Sequence, residues 1–251
     1  MEIENRQTAE KEKLQLICLP YSGGSSFAFQ PLAAYWPKNW QVFTATYSGR
    51  GHRIGEPLLM NMSDLLQDTW KQIKALVQKP YVLFGHSLGS TLAYLLAHKA
   101  IDEGYLPPKH LFLCGTDAPS ILPKLPYRYL YSKKDFKTEL NSYGGISKEI
   151  LNDENAFDFF EPIIRADLQT VETWQYIERQ PLNICATIIT GTEETMKEAE
   201  ILTWQKEFST EVVFKKMKGK HFFLFDNPRQ FVDLLRGELQ KKVVDKIINI
   251  T

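Results

Sequence analysis

Ser87 is the residue whose type and surroundings most directly indicate chemistry. It lies in the pentapeptide GHSLG at residues 85–89, which has the G-x-S-x-G pattern of a nucleophilic serine. An apolar run at residues 81–84 precedes the pentapeptide, and leucines at helical spacing follow it. This order predicts a strained turn that exposes the serine hydroxyl and directs the amide of Leu88 toward a developing oxyanion. The alternative is a serine that only caps the helix.

His221 is the base that the order of the elements selects. A serine hydroxyl is a weak nucleophile and needs a base within hydrogen-bonding distance. Among the five histidines, His221 follows a predicted strand at residues 212–214. It therefore comes last in the order serine, acid, histidine that is typical of G-x-S-x-G enzymes. His86 is too close to the serine in sequence to reach it, and His98 and His110 are expected to be solvated or structural.

Two carboxylates are candidates for the acid that orients His221. Glu194 follows the apolar run at residues 184–190, and Asp117 follows the earlier run at residues 111–114. Both lie between the serine and the histidine in sequence, and the chemistry requires a hydrogen bond to the imidazole rather than a fixed chain position. We favour Glu194 and keep Asp117 as the alternative acid. The alternative interpretation of each residue is an ordinary solvated loop carboxylate.

The loop after the first predicted strand supplies a second oxyanion donor. The segment LPYSGG at residues 19–24 follows an apolar run, and its paired glycines allow backbone amides to face a ligand. We assign the amide of Ser22, together with that of Leu88, to an oxyanion hole. A phosphate-binding loop is a weaker interpretation, because neither a P-loop continuation nor a dinucleotide fingerprint follows.

Six short apolar runs alternate with helical patterns and must position these groups. They lie at residues 14–19, 42–46, 81–84, 111–114, 184–190 and 212–214. The alternation predicts an α/β fold with a mostly parallel sheet and helices on both faces. Between residues 120 and 181 the alternation stops. Helix-like segments there predict a helical lid inserted into a single domain of residues 1–251, overhanging the ligand crevice.

Capping residues and apolar spacing predict where the helices begin and end. Ser63 and Asp64 are expected to cap the first long helix, and Asn227 followed by Pro228 the last one. Inside the lid, a hinge-like break is expected at Gly144 and Gly145. Helical lid segments are predicted at residues 127–143, 148–152, 156–160 and 163–177.

Composition and charge exclude several classes of protein. The 251 residues carry 30 Lys and Arg against 30 Asp and Glu, so net charge gives no support for nucleic acid or a membrane as a partner. Cys18, Cys114 and Cys185 are expected to be buried, reduced thiols. The polar residues 1–14 lack the apolar core of a signal peptide, and a strand, turn and helix explain the apolar window at residues 80–98. A cytoplasmic protein is therefore expected.

Five segments together are more specific than the serine motif alone. They are LPYSGG at residues 19–24, YSGRGHR at 47–53 with EP at 56–57, GHSLG at 85–89, PIIRAD at 162–167 and GKHFF at 219–223. Jointly they resemble the external type II thioesterases that accompany nonribosomal peptide and polyketide synthases, enzymes of the α/β-hydrolase superfamily. The resemblance covers nearly the whole chain. One departure is Glu194, because the family usually has Asp three residues after the glycine equivalent to Gly191.

The resemblance implies hydrolysis of acyl thioesters carried on the phosphopantetheine arm of a carrier protein, which removes stalled or mis-primed acyl groups. It implies Ser87 as nucleophile and His221 as base, without a bound cofactor or metal, in a monomer. The alternatives are a small-molecule ester hydrolase or acyltransferase with the same triad, and a non-catalytic carrier-binding protein.

The charged residues of the resembling segments and of the lid have a separate interpretation. Ion pairs that fix the loop and the lid are expected for Arg50, Arg53, Arg165 and Asp167. Two cationic clusters are candidates for docking an acidic carrier, although most such clusters are merely solvated. They comprise Arg128, Lys133, Lys134 and Lys137 in the lid, and Lys215, Lys216, Lys218 and Lys220 near the histidine.

Overall fold

The computed structural model describes residues 13–248, with side chains through Lys241, and contains one sheet of six parallel strands. The strands are β1 (Leu14–Leu19), β2 (Trp40–Thr44), β3 (Tyr81–His86), β4 (Leu111–Cys114), β5 (Ala186–Gly191) and β6 (Val213–Met217). They are arranged in the order β2-β1-β3-β4-β5-β6, and every neighbouring pair is parallel. The predicted α/β fold with a mostly parallel sheet is confirmed. Residues 1–12 of the polar amino-terminal segment lie outside the described residues.

Helices cover both faces of this sheet, as predicted. Side chains that alternate along β3 enter different cores: Leu83 packs in the core under α1 and α2, and Phe84 in the core under α8. The helices are α1 (Met62–Ile73), α2 (Leu88–Asp102), α3 (Lys133–Tyr143), α4 (Lys148–Asn152), α5 (Glu154–Glu172), α6 (Glu198–Leu202), α7 (Phe223–Asp226) and α8 (Pro228–Ile248).

The register of the strands brings the carboxyl ends of β1, β3, β4, β5 and β6 to one edge. Leu19 is paired with Gly85, His86 with Cys114, and Gly191 with Met217. Every predicted chemical group comes from a loop that leaves this edge. In an open parallel sheet, that edge is where ligands bind.

Two helix starts test the sequence-based caps. Helix α1 is capped by Asn61, whose side-chain oxygen accepts a hydrogen bond from the Asp64 amide at 2.9 Å. The expected caps Ser63 and Asp64 are therefore wrong by two or three residues, because the asparagine adopts the extended conformation that a cap requires. Helix α8 begins at Pro228, as predicted.

The segment at residues 120–181 contains no strand and carries its own small core. Phe136, Leu151, Phe157, Ile164 and Leu168 pack together separately from the two cores of the sheet. Helix α4 lies where the sequence predicts it, and α3 ends at Tyr143 as predicted. The predicted start of α3 at residue 127 is wrong by six residues, because Ser132 caps the helix at Lys133 by accepting a hydrogen bond from the Asp135 amide. The chain turns at Gly144, where φ is +76°.

Helix α5 differs from its prediction. It runs without interruption from Glu154 to Glu172, so the expected break near Pro162 and the expected end at Ile177 are wrong. A proline removes one backbone donor, but the buried apolar side of α5 compensates through packing.

The cysteines and the apolar window have simple structural explanations. All three cysteines are free; Cys18 and Cys114 are buried, whereas Cys185, just before β5, is only partly buried. None of the helices described between residues 13 and 248 has the length and apolar character needed to cross a bilayer.

Candidate active site

Ser87 lies in the sharp turn between β3 and α2. Its backbone has φ of 55° and ψ of −119°, and it is the one non-glycine residue with positive φ among the described residues. Its amide donates to the Cys114 carbonyl at 2.8 Å, which holds the turn against β4. Strained backbone of this kind persists where the surroundings enforce it, typically at functional sites. The turn has the geometry that the G-x-S-x-G pattern predicts.

Two glycines make this turn sterically feasible. A Cβ atom on Gly85 would lie 2.1 Å from the Gly89 carbonyl oxygen. A Cβ atom on Gly89 would lie 1.9 Å from the Leu19 carbonyl oxygen at the end of β1. Both contacts involve backbone, which cannot move aside as a side chain would. The turn at residues 85–89, the nucleophile elbow, and the loop after β1 are therefore packed backbone against backbone.

His221 is joined to Glu194. The imidazole Nδ1 and the carboxylate Oε1 are 2.7 Å apart, and both side chains are largely buried. The second carboxylate oxygen, Oε2, accepts a hydrogen bond from the Gly191 amide at 2.6 Å. Both oxygens of Glu194 thus have partners, and the carboxylate is fixed in orientation relative to the ring. A carboxylate on Nδ1 holds the proton there and leaves Nε2 free to accept a proton.

Asp117 has no hydrogen bond to His221. Its Oδ1 is buried without a hydrogen-bond partner among the described residues. Burial, reinforced by the Glu200 carboxylate, raises the pKa of Asp117 to about 6. Of the two candidate acids, the structure therefore brings only Glu194 to the histidine.

The titration of Asp117 should instead contribute to the pH dependence of the free energy of unfolding. Its pKa is higher in the folded than in the unfolded state, so its contribution favours folding at low pH and is lost as the pH rises through about 6. We expect Asp117→Asn to be more stable than the wild type at pH 8, with the difference shrinking toward pH 5. Thermal unfolding across this range measures it.

The exposed Thr192 provides a control for this titration. Thr192→Ser should leave the difference from the wild type independent of pH, because neither side chain titrates in this range. A pH-independent difference for Asp117→Asn as well would contradict the raised pKa.

The His86 ring packs beside the His221 ring. Its ring is fully buried, both ring nitrogens lack a partner among the described residues, and its centroid is 4.8 Å from that of His221. Burial, and then the neighbouring His221, hold the pKa of His86 well below its usual value. His86 is therefore a neutral packing residue. His98 and His110 are also buried, so they are structural rather than solvated.

The loop carrying Ser22 lies directly beside the elbow. Gly89 contacts the Leu19 backbone, and the Tyr21 ring packs edge-on against His86 with centroids 5.8 Å apart. Within residues 13–248, neither the Ser22 nor the Leu88 amide donates to a carbonyl or a side chain. The two donors predicted from sequence therefore lie on adjacent segments, and both are available to a ligand.

The lid reaches the histidine through Tyr143, at the end of α3. The Tyr143 ring stands edge-on to His221, with centroids 5.2 Å apart, and Phe222 occupies the space where Gly145 would carry a Cβ atom. Arg128 lies over the Tyr143 ring at 5.3 Å. Sequence reasoning missed Tyr143: the break at Gly144 was recognisable, but helical spacing does not show which lid residue faces the site.

The charged residues of the segments that resemble type II thioesterases form the expected ion pairs. Arg53 binds Asp68 and Glu56, and Arg165 binds Glu161. Arg50 and Asp167 form a buried pair that joins the loop after β2 to α5. Their predicted role in fixing the loop and the lid agrees with this geometry.

Comparison with known proteins identifies the family. The model of the thioesterase domain matches residues 14–239. Gramicidin S biosynthesis protein GrsT of Aneurinibacillus migulanus is 27% identical, over 97% of this chain and 95% of its own length. Among solved structures, ClbQ from the colibactin NRPS/PKS pathway has a TM-score of 0.86 and 26% identity, covering 92% of this chain and 99% of its own.

The type II thioesterase BorB from the borrelidin biosynthetic cluster has a TM-score of 0.83 and 28% identity, covering 92% of this chain and 94% of its own. These likenesses confirm the expected α/β-hydrolase fold and the resemblance to type II thioesterases. Since the family model spans most of the chain and the fold agrees along its length, the chain is a thioesterase and belongs to the thioesterase domain family.

Proposed function

We propose that this enzyme removes acyl groups from the phosphopantetheine arm of carrier proteins in nonribosomal peptide or polyketide synthesis. The observation that carries the proposal is the Glu194–His221 hydrogen bond of 2.7 Å at the sheet edge that also presents Ser87. Relatives with this fold come from biosynthetic pathways of this kind, including a type II thioesterase of the borrelidin cluster. Removal of stalled or mis-primed groups is the editing role that such an enzyme would have.

The proposed chemistry proceeds through an acyl-enzyme. Ser87 Oγ attacks the thioester carbonyl carbon while His221 Nε2 takes the hydroxyl proton. The carbon–sulfur bond then breaks, and the departing sulfur receives that proton as a thiol. A water molecule next attacks the acyl-enzyme, giving its proton to His221, which returns one to Ser87. The products are a carboxylic acid and the free carrier thiol.

The remaining groups stabilise the charges that develop during the reaction. Glu194 stabilises the imidazolium that forms at each proton transfer and keeps the ring oriented. The Leu88 amide, at the amino end of α2, and the Ser22 amide stabilise the oxyanion of each tetrahedral intermediate. Because the nucleophile, base and oxyanion donors are all protein groups, this mechanism requires no metal or cofactor.

Carrier proteins are typically acidic, so a cationic surface should dock them. Most residues of the two cationic clusters already form ion pairs within the chain. Lys133 and Lys137 bind Glu154, Arg128 binds Glu172, and Lys216 binds Glu198. Within these two clusters, the cations that have no ion-pair partner among the described residues are Lys134, Lys218 and Lys220. We propose that Lys218 and Lys220, in the loop that carries His221, contribute most to docking.

A cytoplasmic monomer remains our expectation for the protein in the cell.

A comparison of substrates tests the proposed function. We expect kcat/KM for an acyl group on a holo carrier protein to exceed that for the p-nitrophenyl ester of the same acyl group. A fluorophosphonate probe should label Ser87, and Ser87→Ala should remove both labelling and turnover. Faster hydrolysis of the free ester would favour a small-molecule esterase. Absence of labelling would favour a non-catalytic carrier-binding protein.

A further inference from the structure

The lid helix α5 binds the loop that carries Ser22. The Gly23 amide donates to Asp167 Oδ2 at 2.7 Å, across 144 residues of sequence. The Ile164 side chain, one turn earlier on α5, lies 2.9 Å from the position of a Cβ atom on Gly23. Gly23 has φ of +83°, which suits glycine and lets its backbone approach the helix closely. A polar and an apolar contact from one helix thus converge on a single residue of this loop.

Asp167 is itself held by Arg50. The guanidinium binds both carboxylate oxygens, with Nη2 to Oδ1 at 2.7 Å and Nη1 to Oδ2. Both residues are buried, with exposed fractions of 3% for Arg50 and 1% for Asp167. A bidentate pair of this kind fixes the carboxylate in position and orientation. Asp167 Oδ2 therefore offers Gly23 an acceptor with little freedom to move.

Three consecutive peptide groups around Ser22 are restrained. The Tyr47 hydroxyl donates to the Pro20 carbonyl at 2.8 Å. The Gly24 amide donates to the Tyr21 carbonyl at 2.9 Å, which belongs to the same peptide group as the Ser22 amide. Asp167 restrains the following peptide group through Gly23. The proposed oxyanion donor thus has a restrained peptide group on each side, and one of these restraints comes from the lid.

We propose that Asp167 is a positioning residue for the oxyanion hole. Through this residue, the position of lid helix α5 determines the orientation of the Ser22 amide. The inference rests on the proposed serine chemistry. An oxyanion donor is effective only when it is aimed at the position of the charged oxygen before the reaction. Release of Gly23 should therefore weaken stabilisation of the transition state, while binding of the unreacted substrate changes little.

The experiment compares two kinds of inhibitor with Asp167 variants. A trifluoromethyl ketone forms an adduct with Ser87 whose oxyanion occupies the hole, whereas a non-cleavable thioether analogue of the substrate has no oxyanion. For Asp167→Ala, which removes the acceptor of the Gly23 amide, we expect kcat on an acyl thioester and affinity for the ketone both to fall about 100-fold, the cost of one misaimed donor. KM and affinity for the thioether should stay within about threefold.

A double variant separates positioning from folding. Asp167→Ala leaves Arg50 buried without its counter-ion, which can destabilise the protein, whereas replacing both members of a buried pair by apolar residues is often neutral. Arg50→Met/Asp167→Leu removes the Gly23 acceptor without leaving a buried charge, and should show the same selective loss of ketone affinity. The matched control is Glu161→Ala, which removes the Arg165 ion pair on the same helix and should leave ketone affinity unchanged.

Three outcomes decide the proposal. A selective loss of ketone affinity in both Asp167 variants supports it. Equal losses for the ketone and the thioether, or wild-type affinity for the ketone in the folded double variant, overturn it and leave a purely structural ion pair. A wild-type enzyme that neither labels with fluorophosphonate nor cleaves acyl thioesters overturns the proposed function as well, so the two failures are distinguishable.

Discussion

Glu194→Gln is expected to lower kcat on acyl thioesters by about 10³- to 10⁴-fold, with little change in thermal stability. The reason lies in the two partners of the carboxylate. The Gly191 amide donates to Oε2, and His221 Nδ1 lies 2.7 Å from Oε1. A glutamine has only one side-chain oxygen. That oxygen must stay with the Gly191 amide, because this donor has no other acceptor among the described residues. The glutamine NH₂ group would then face His221 Nδ1.

This reversal puts the imidazole into the wrong tautomer. Nδ1 would have to accept a hydrogen bond from the glutamine, so the ring proton would reside on Nε2. Nε2 could then no longer take the proton of Ser87. Stopped-flow measurement of acyl-enzyme formation and hydrolysis should show both steps slowed, because both require the same base.

Asp117→Asn provides the comparison for this result. Asp117 has no hydrogen bond to His221, so its substitution should change kcat by less than about threefold if Glu194 is the acid. A larger loss in Asp117→Asn than in Glu194→Gln would move the acid to the end of β4. Glu194→Asp should retain part of the activity, because the carboxylate survives but is shorter by one methylene group.

The sequence indicates candidate site residues wherever a motif coincides with a strand end. Ser87 and His221 were identifiable because parallel strands place the loops after their carboxyl ends at one edge, and the apolar runs marked those strands. The acid remained open between Glu194 and Asp117, because each follows a strand that ends at that edge. What distinguishes them is the tight turn after β5, in which the Gly191 amide binds the Glu194 carboxylate and directs it to the ring.

Contacts between distant segments were not predictable from local pattern. The Asp167–Gly23 hydrogen bond spans 144 residues, and nothing in either motif indicates the other. Periodicity also failed at Pro162, where the tertiary packing of α5 overrides a helix breaker. Similarly, Tyr143 faces His221 because the lid folds back at Gly144, a direction that is not encoded in helical spacing.

Gly89→Ala is expected to destabilise the fold by at least about 3 kcal/mol and to remove most of the activity of the protein that remains folded. The added methyl group would lie 1.9 Å from the Leu19 carbonyl oxygen and 2.7 Å from that of Pro20. Relief of these contacts requires α2 to move away from β1. The same movement separates the Leu88 amide from the loop of Ser22, so both oxyanion donors lose their relative position.

Gly237→Ala is the matched control, because a Cβ atom at this position on α8 meets nothing within 4 Å. Alanine is the better helix former, so this variant should gain up to about 1 kcal/mol and keep full activity. Chemical denaturation gives the free energy of unfolding of both variants, and turnover per folded molecule gives the catalytic effect. A Gly89→Ala protein with wild-type stability and turnover would show that the elbow yields without cost. The close packing of β1 against α2 would then not be what aligns the two amides.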